Sequence, residues 1–147
     1  MKINISEVID LEEIIECIEN NNLLLDNTDD SAYFINSQSF EYLKSFKKIE
    51  LFLKAQDEFN NLLGWACLWN LEDEIEIFDI DDLPQKEIHF FVRKEYRRKG
   101  VGREITKFLK SRNLQNTKVV AWDRISESFF INCDFENITY TKGLFYV

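Results

Sequence analysis

Residues 87–112, E-I-H-F-F-V-R-K-E-Y-R-R-K-G-V-G-R-E-I-T-K-F-L-K-S-R, constrain the chain more than any other segment. An apolar run over 88–92 reads as a strand, a tight basic turn follows, and Val101, Ile105, Phe108 and Leu109 then recur at helical spacing. The helix therefore starts near Gly100, and the turn holds Gly100 and Gly102, two of only four glycines in the chain. Glycine at such a point allows left-handed backbone and lets main chain come close to a ligand. A helix that starts there directs its unpaired N–H groups and the positive end of its dipole at the same spot. Arg97, Arg98, Lys99 and Arg103 surround that spot, so the segment offers amide donors, a favourable field and cations, which is what a diphosphate requires.

Charge is concentrated here. Residues 93–112 hold nine of the 18 Lys and Arg and only two of the 27 acids, Glu95 and Glu104, giving +7 against −16 elsewhere. A basic cluster has two plainer readings, a solvated helix face or a nucleic-acid patch. A net charge of −9 and a pI near 4.7 argue against the second.

The run V-R-K-E-Y-R-R-K-G-V-G resembles the acetyl-CoA signature of the GNAT (Gcn5-related N-acetyltransferase) family, R/Q-x-x-G-x-G/A after a strand and before a helix. Arg97, Gly100 and Gly102 match it, with Val92 and Tyr96 at their usual places. Two weaker similarities extend the resemblance. Leu63-Gly64-Trp65-Ala66 is similar to the family's third strand, and residues 126–135 to its A-x-x-F-Y-x-x-x-G-F helix and turn, with Ser126, Phe130 and Asp134 departing from it. The resemblance implies an α/β (α+β) fold, a mixed and mostly antiparallel splayed sheet flanked by helices. It also implies use of acetyl-CoA and leaves room for a homodimer.

The rest of the chain reads as a single domain over 1–147. Residues 2–5 alternate as an edge strand. Leu11, Ile14, Ile15 and Ile18 then form a helical stripe, with Ser6 or Asp10 as its cap. A second helix is expected from about 30 to 46, including Tyr33, Phe34, Phe40 and Leu43. Residues 49–55 and 62–70 read as a hairpin, in which Gly64 marks close backbone approach, a bulge or simple packing. The acidic stretch 71–82 reads as a solvated loop, or as a carboxylate rim that attracts a cationic amine. Residues 117–122 suit a buried parallel strand beside 88–92. Residues 135–141 and 144–147 finish as strands joined at Lys142 and Gly143.

Three scattered cysteines without a C-x-x-C point to free thiols rather than disulfides or zinc. Neither a membrane span nor a signal-peptide pattern is evident, so the expected location is cytoplasmic.

By the resemblance, the reaction is acetyl transfer from acetyl-CoA to a primary amine by direct attack in a ternary complex. The acceptor would be a cationic small molecule or peptide amine, with no nucleic acid and no membrane as partner. Main chain at Phe91 and Val92 would line the cofactor's arm. The turn, Arg97, Arg98, Lys99, Gly100, Val101, Gly102 and Arg103, would hold the diphosphate, and Asp123 and Phe130 would contact the cofactor further along. His89, the only histidine, and Glu87 share a strand face and are the two candidate bases, His89 having a structural reading as well. The family's tyrosine acid falls on Phe130, which leaves Tyr140, Tyr146 or water to supply a proton. That departure motivates a rival reading, a CoA-binding module of the same fold with little or no turnover. A third reading is an interaction domain that has lost the cofactor.

Overall fold

Asp10 separates the first two elements. Strand β1 (Asn4–Val8) ends just before it, and its carboxylate accepts from the Glu13 amide at 3.1 Å to open α1 (Leu11–Asn20). Ser6, the other candidate cap, lies inside the strand, because its neighbours pair with the next strand from Asn4↔Gln56 to Val8↔Phe52. The computed structural model describes residues 1–24, 35–72, 84–121, 124–138 and 143–147. Helix α2 (Ser37–Ser45) begins where the Asn36 side chain accepts from the Ser39 amide at 2.8 Å. It is therefore shorter than the expected helix over 30–46, whose Tyr33 and Phe34 lie outside the described residues.

Strands β2 (Ile49–Gln56) and β3 (Leu62–Asn70) form the expected hairpin, and β4 (Lys86–Val92) is the expected central strand. A 3-10 turn (Lys94–Tyr96), α3 (Val101–Ser111), β5 (Thr117–Val120), α4 (Arg124–Asn132) and β6 (Leu144–Tyr146) follow. The expected strand over 135–141 is not one as far as residue 138: only an isolated bridge, Asn137↔Phe145, joins it to β6. Residues 139–142 lie outside the described set.

The six strands lie in chain order and are antiparallel, except that β4 and β5 are parallel. Parallel neighbours need a long crossover, which α3 supplies. The two sides of β4 then behave differently. Its pairing with β3 runs from Asn70↔Lys86 to Gly64↔Val92, whereas its register with β5 covers Lys86↔Thr117, Glu87↔Lys118 and Ile88↔Val119. From His89 onward the two parallel strands part, which forms the expected splay.

Alternation along β4 divides its side chains between two cores. Ile88, Phe90 and Val92 join Val101, Ile105 and Leu109 of α3 and Phe130 of α4. Phe91 joins Ile14 and Ile18 of α1, Phe40 and Leu43 of α2, and Trp65, Cys67 and Trp69 of β3. Gly64 is explained by close approach: a Cβ there would lie 2.6 Å from the Phe91 carbonyl oxygen and 3.3 Å from Val101 Cγ1. The missing side chain lets β3, β4 and the start of α3 meet.

Candidate active site

Beyond Val92 the chain turns sharply and is held at each step. The Arg93 amide donates to the Leu63 carbonyl at 2.9 Å, and Arg97 Nε donates back to the Val92 carbonyl at 2.9 Å. The Arg97 guanidinium also lies 5.4 Å from the Phe91 ring centroid, a cation–π distance. Arg97 thus closes the turn onto the strand it follows. Arg98 (φ 65°) and Gly100 (φ 88°) both take left-handed backbone, and Gly100 caps α3 without any side-chain hydrogen bond. The first intrahelical donor near the cap is Glu104, bonding the Gly100 carbonyl at 3.1 Å, so the amides of Val101, Gly102 and Arg103 have no partner within the helix. Arg97, Arg98, Lys99 and Arg103 are exposed around them, while the Val101 side chain is buried. An uncapped helix start ringed by exposed cations fits a diphosphate.

The two turn glycines serve different ends. A Cβ on Gly100 would meet nothing within 4 Å, so glycine is required there for its positive φ. A Cβ on Gly102 would lie 2.8 Å from Cζ of Phe129, so glycine is required there for packing against α4. Phe129 was not singled out in the sequence, yet it is the half-buried aromatic beside the turn, stacked on Phe90 at 5.9 Å. Phe130, expected against the cofactor, is 1% exposed and enclosed by Phe90, Phe135 and Phe145 at 5.5–5.8 Å. The helix register turns Phe130 inward and leaves Phe129 at the rim. Asp134, where the resembling pattern has glycine, keeps the left-handed turn (φ 63°) that ends this helix region.

On the other face of β4, His89 is the first residue past the β5 register. It is 4% exposed and stacks on Trp69, with centroids 3.7 Å apart and an interplanar angle of 21°. Its Nε2 lies 3.1 Å from Glu87 Oε2, and Lys118 Nζ lies 3.3 Å from the other carboxylate oxygen, Oε1. The hydrogen bond from His89 holds the Glu87 carboxyl below its ordinary value, with a smaller contribution from Lys118, against the upward push of burial. Cys67 stands opposite His89 across β3, its thiol pushed up to about 12 by burial and so neutral. The structure thus brings both candidate bases together and adds Lys118 to them. A lysine within the otherwise apolar run over 117–122 is the signal that could have found it. Asp123 and Tyr140 lie outside the described residues, and Tyr146 is exposed on β6.

Comparison with known proteins gives the family and the fold. Residues 19–134 match the family model of the acetyltransferase (GNAT) family. No curated protein sequence matches the chain. Among solved structures, the chain is similar to a GNAT family N-acetyltransferase from Escherichia coli in complex with CoA, with TM-score 0.60, 16% identity, and coverage of 99% of this chain and 79% of that one. It is similar also to a ribosomal-protein-alanine N-acetyltransferase from Brucella melitensis biovar Abortus 2308, with TM-score 0.57, 15% identity, and coverage of 100% and 97%. A third is the spermidine/spermine N-acetyltransferase SpeG from Vibrio cholerae, in mutant form, with TM-score 0.55, 13% identity, and coverage of 99% and 94%. At these identities the likeness is one of fold. The family match takes in the forked strand, the glycine turn and α3, and on it the chain belongs to the acetyltransferase (GNAT) family.

Proposed function

We propose that this chain transfers an acetyl group from acetyl-CoA to a primary amine by direct attack within a ternary complex. The observation that carries the reading is the uncapped start of α3, ringed by exposed cations, at the open end of the forked strand. Acetyl-CoA, when bound, supplies the activated acetyl group. Main-chain amides over 98–103 and the side chains of Arg98, Lys99 and Arg103 hold its diphosphate, and main chain at Phe91 and Val92 lines its arm. Arg97 supports the turn from beneath through its bond to the Val92 carbonyl.

Of the two candidate bases, His89 fits the task better. A carboxylate held ionised below its ordinary value is a poor proton acceptor at neutral pH, and this is the state of Glu87. Glu87 instead orients the imidazole, and His89, which is 4% exposed, takes the proton of the incoming ammonium by relay through water rather than by direct contact. Tyr140 is the proton donor in this reading, and Tyr140→Phe tests it by a fall in kcat.

The acceptor is a cationic amine, a polyamine, an aminoglycoside or a lysine-bearing peptide. The net charge of −9 supports that choice, as does a structural neighbour named for spermidine and spermine. A thiol-release assay over a panel of amines tests the function, and acceptor-dependent release that saturates is the expected result. A second reading, a CoA-binding module without turnover, is favoured by Phe130, which is walled into the core with no hydroxyl to donate. Cofactor binding without acceptor-dependent release at any pH would select it.

A further inference from the structure

Lys118 is 9% exposed, on a four-residue strand whose neighbours Thr117 and Val119 are buried with it. An ammonium in such a place needs acceptors on every side that water would have covered. Among the described residues it has two: the Pro84 carbonyl at 2.5 Å and Glu87 Oε1 at 3.3 Å. The first comes from the residue preceding β4 by two positions. The second is its own register partner, Glu87↔Lys118, across the parallel pair. Lys118 therefore ties both the approach to β4 and the Glu87 side chain to β5.

The consequence reaches His89. A carboxylate only accepts hydrogen bonds, so the ring nitrogen 3.1 Å from Glu87 Oε2 must be the one that carries hydrogen. That nitrogen is Nε2, and in the neutral ring the lone pair then sits on Nδ1. Stacking on Trp69 fixes the plane of the ring, and Glu87 fixes its rotation within that plane. Glu87 alone could not do so, since its side chain can rotate away toward solvent; it is 24% exposed. Beside the ring stand Glu87, at hydrogen-bond distance, and the neutral Cys67 thiol, its register partner on β3, with Lys118 on the far side of the Glu87 carboxylate.

We infer that Lys118 is a positioning residue, which pins the Glu87 carboxylate between β4 and β5 and so holds His89 as the Nε2–H form with its lone pair on Nδ1. This rests on the reading of His89 as the base only where it bears on rate; the positioning itself does not. Because the chain has a single histidine, its ring nitrogens and ring N–H proton are assigned in an NMR spectrum without ambiguity. Spectra would be taken over a pH series, and the tautomer read where the ring nitrogen shifts no longer change with pH.

The wild-type ring is expected to show one tautomer, with a downfield Nε2–H proton protected from exchange. Lys118→Met is expected to broaden or shift that proton upfield, and Lys118→Arg to retain it. Lys118→Gln, which keeps an amide donor for the Pro84 carbonyl but removes the charge that holds Glu87, keeps the test available if the methionine variant does not fold, and it too should lose the protected proton. In steady-state assays, Lys118→Met should lower kcat about 10-fold or more with KM for acetyl-CoA unchanged, and Lys118→Arg should recover most of it. A ring spectrum unaltered in a folded Lys118→Met protein overturns the inference, whatever the rate. A lost ring signature with unaltered kcat upholds the positioning and instead removes His89 from the chemistry proposed above.

Discussion

Replacing Gly102 with alanine separates the packing account of this glycine from the ligand-approach account, through a cycle with Phe129→Leu. The alanine Cβ would lie 2.8 Å from Phe129 Cζ and 3.2 Å from Cε2. Carbon pairs are most favourable at ~3.5–4.0 Å, so the ring tip must give way by roughly 0.7–1.2 Å. Phe129 has little room for this, being flanked by Phe90 at 5.9 Å and Phe130 at 5.6 Å. Overpacking of this kind costs about 1–3 kcal/mol. Alanine in a helix gains up to about 1 kcal/mol over glycine, so the net loss in the wild-type background is about 0–2 kcal/mol. Phe129→Leu withdraws the ring tip, and Gly102→Ala in that background should then stabilise by up to about 1 kcal/mol. The coupling between the two sites is about 1–3 kcal/mol, or roughly 2–12 °C in Tm for a chain of this size. Thermal unfolding of the four proteins measures it. Equal Tm shifts for Gly102→Ala in both backgrounds would refute the reasoning and return Gly102 to the ligand alone.

Glu87, with its folded pKa lowered, contributes stability that is present above its ordinary value of 4.5 and is lost as pH falls through the folded value. Glu87→Gln should therefore flatten the decline of Tm on acidification below about pH 4.5, and an unaltered slope would remove the Glu87–His89 hydrogen bond from the account. Phe130→Tyr would set a hydroxyl inside an aromatic core that is 1% exposed; it should cost about 1–3 kcal/mol and leave acetyl transfer no faster, as a melt and a thiol-release assay would show. Cys67 is buried and its thiol is pushed up to about 12, whereas Cys17 and Cys133 are half-buried. A disulfide reagent should therefore leave Cys67 unlabelled in the folded protein and reach it on unfolding, and prompt labelling of Cys67 in mass spectra of the native protein would contradict its placement.

Local signals carried most of the fold. The stripe of Ile14 and Ile18 behind Asp10, the hairpin over β2 and β3, and the strand, turn and helix from β4 to α3 all follow from spacing and turn chemistry over short windows. What escaped depends on contacts between distant segments. That Lys118 faces Glu87 follows from the parallel register, which no local pattern encodes. Which of Phe129 and Phe130 turns inward depends on how α4 docks, since adjacent helical residues differ by about 100° and either could have filled the core. Gly100 and Gly102 look alike in sequence, yet one answers to its own φ and the other to a ring from α4. The bridge at Asn137 shows the same limit: among residues 135–138 pairing with β6 is confined to that position, and how far a segment pairs with a distant strand is not written in its own residues.

The central claim is that main-chain amides at the start of α3 grip the diphosphate of coenzyme A. Titrating acetyl-CoA into the uniformly 15N-labelled protein and following every amide tests it most directly. Saturable shifts, largest at the amides of residues 98–103, are the predicted result. No shifts at all, or shifts that leave those amides in place while others move, would contradict it.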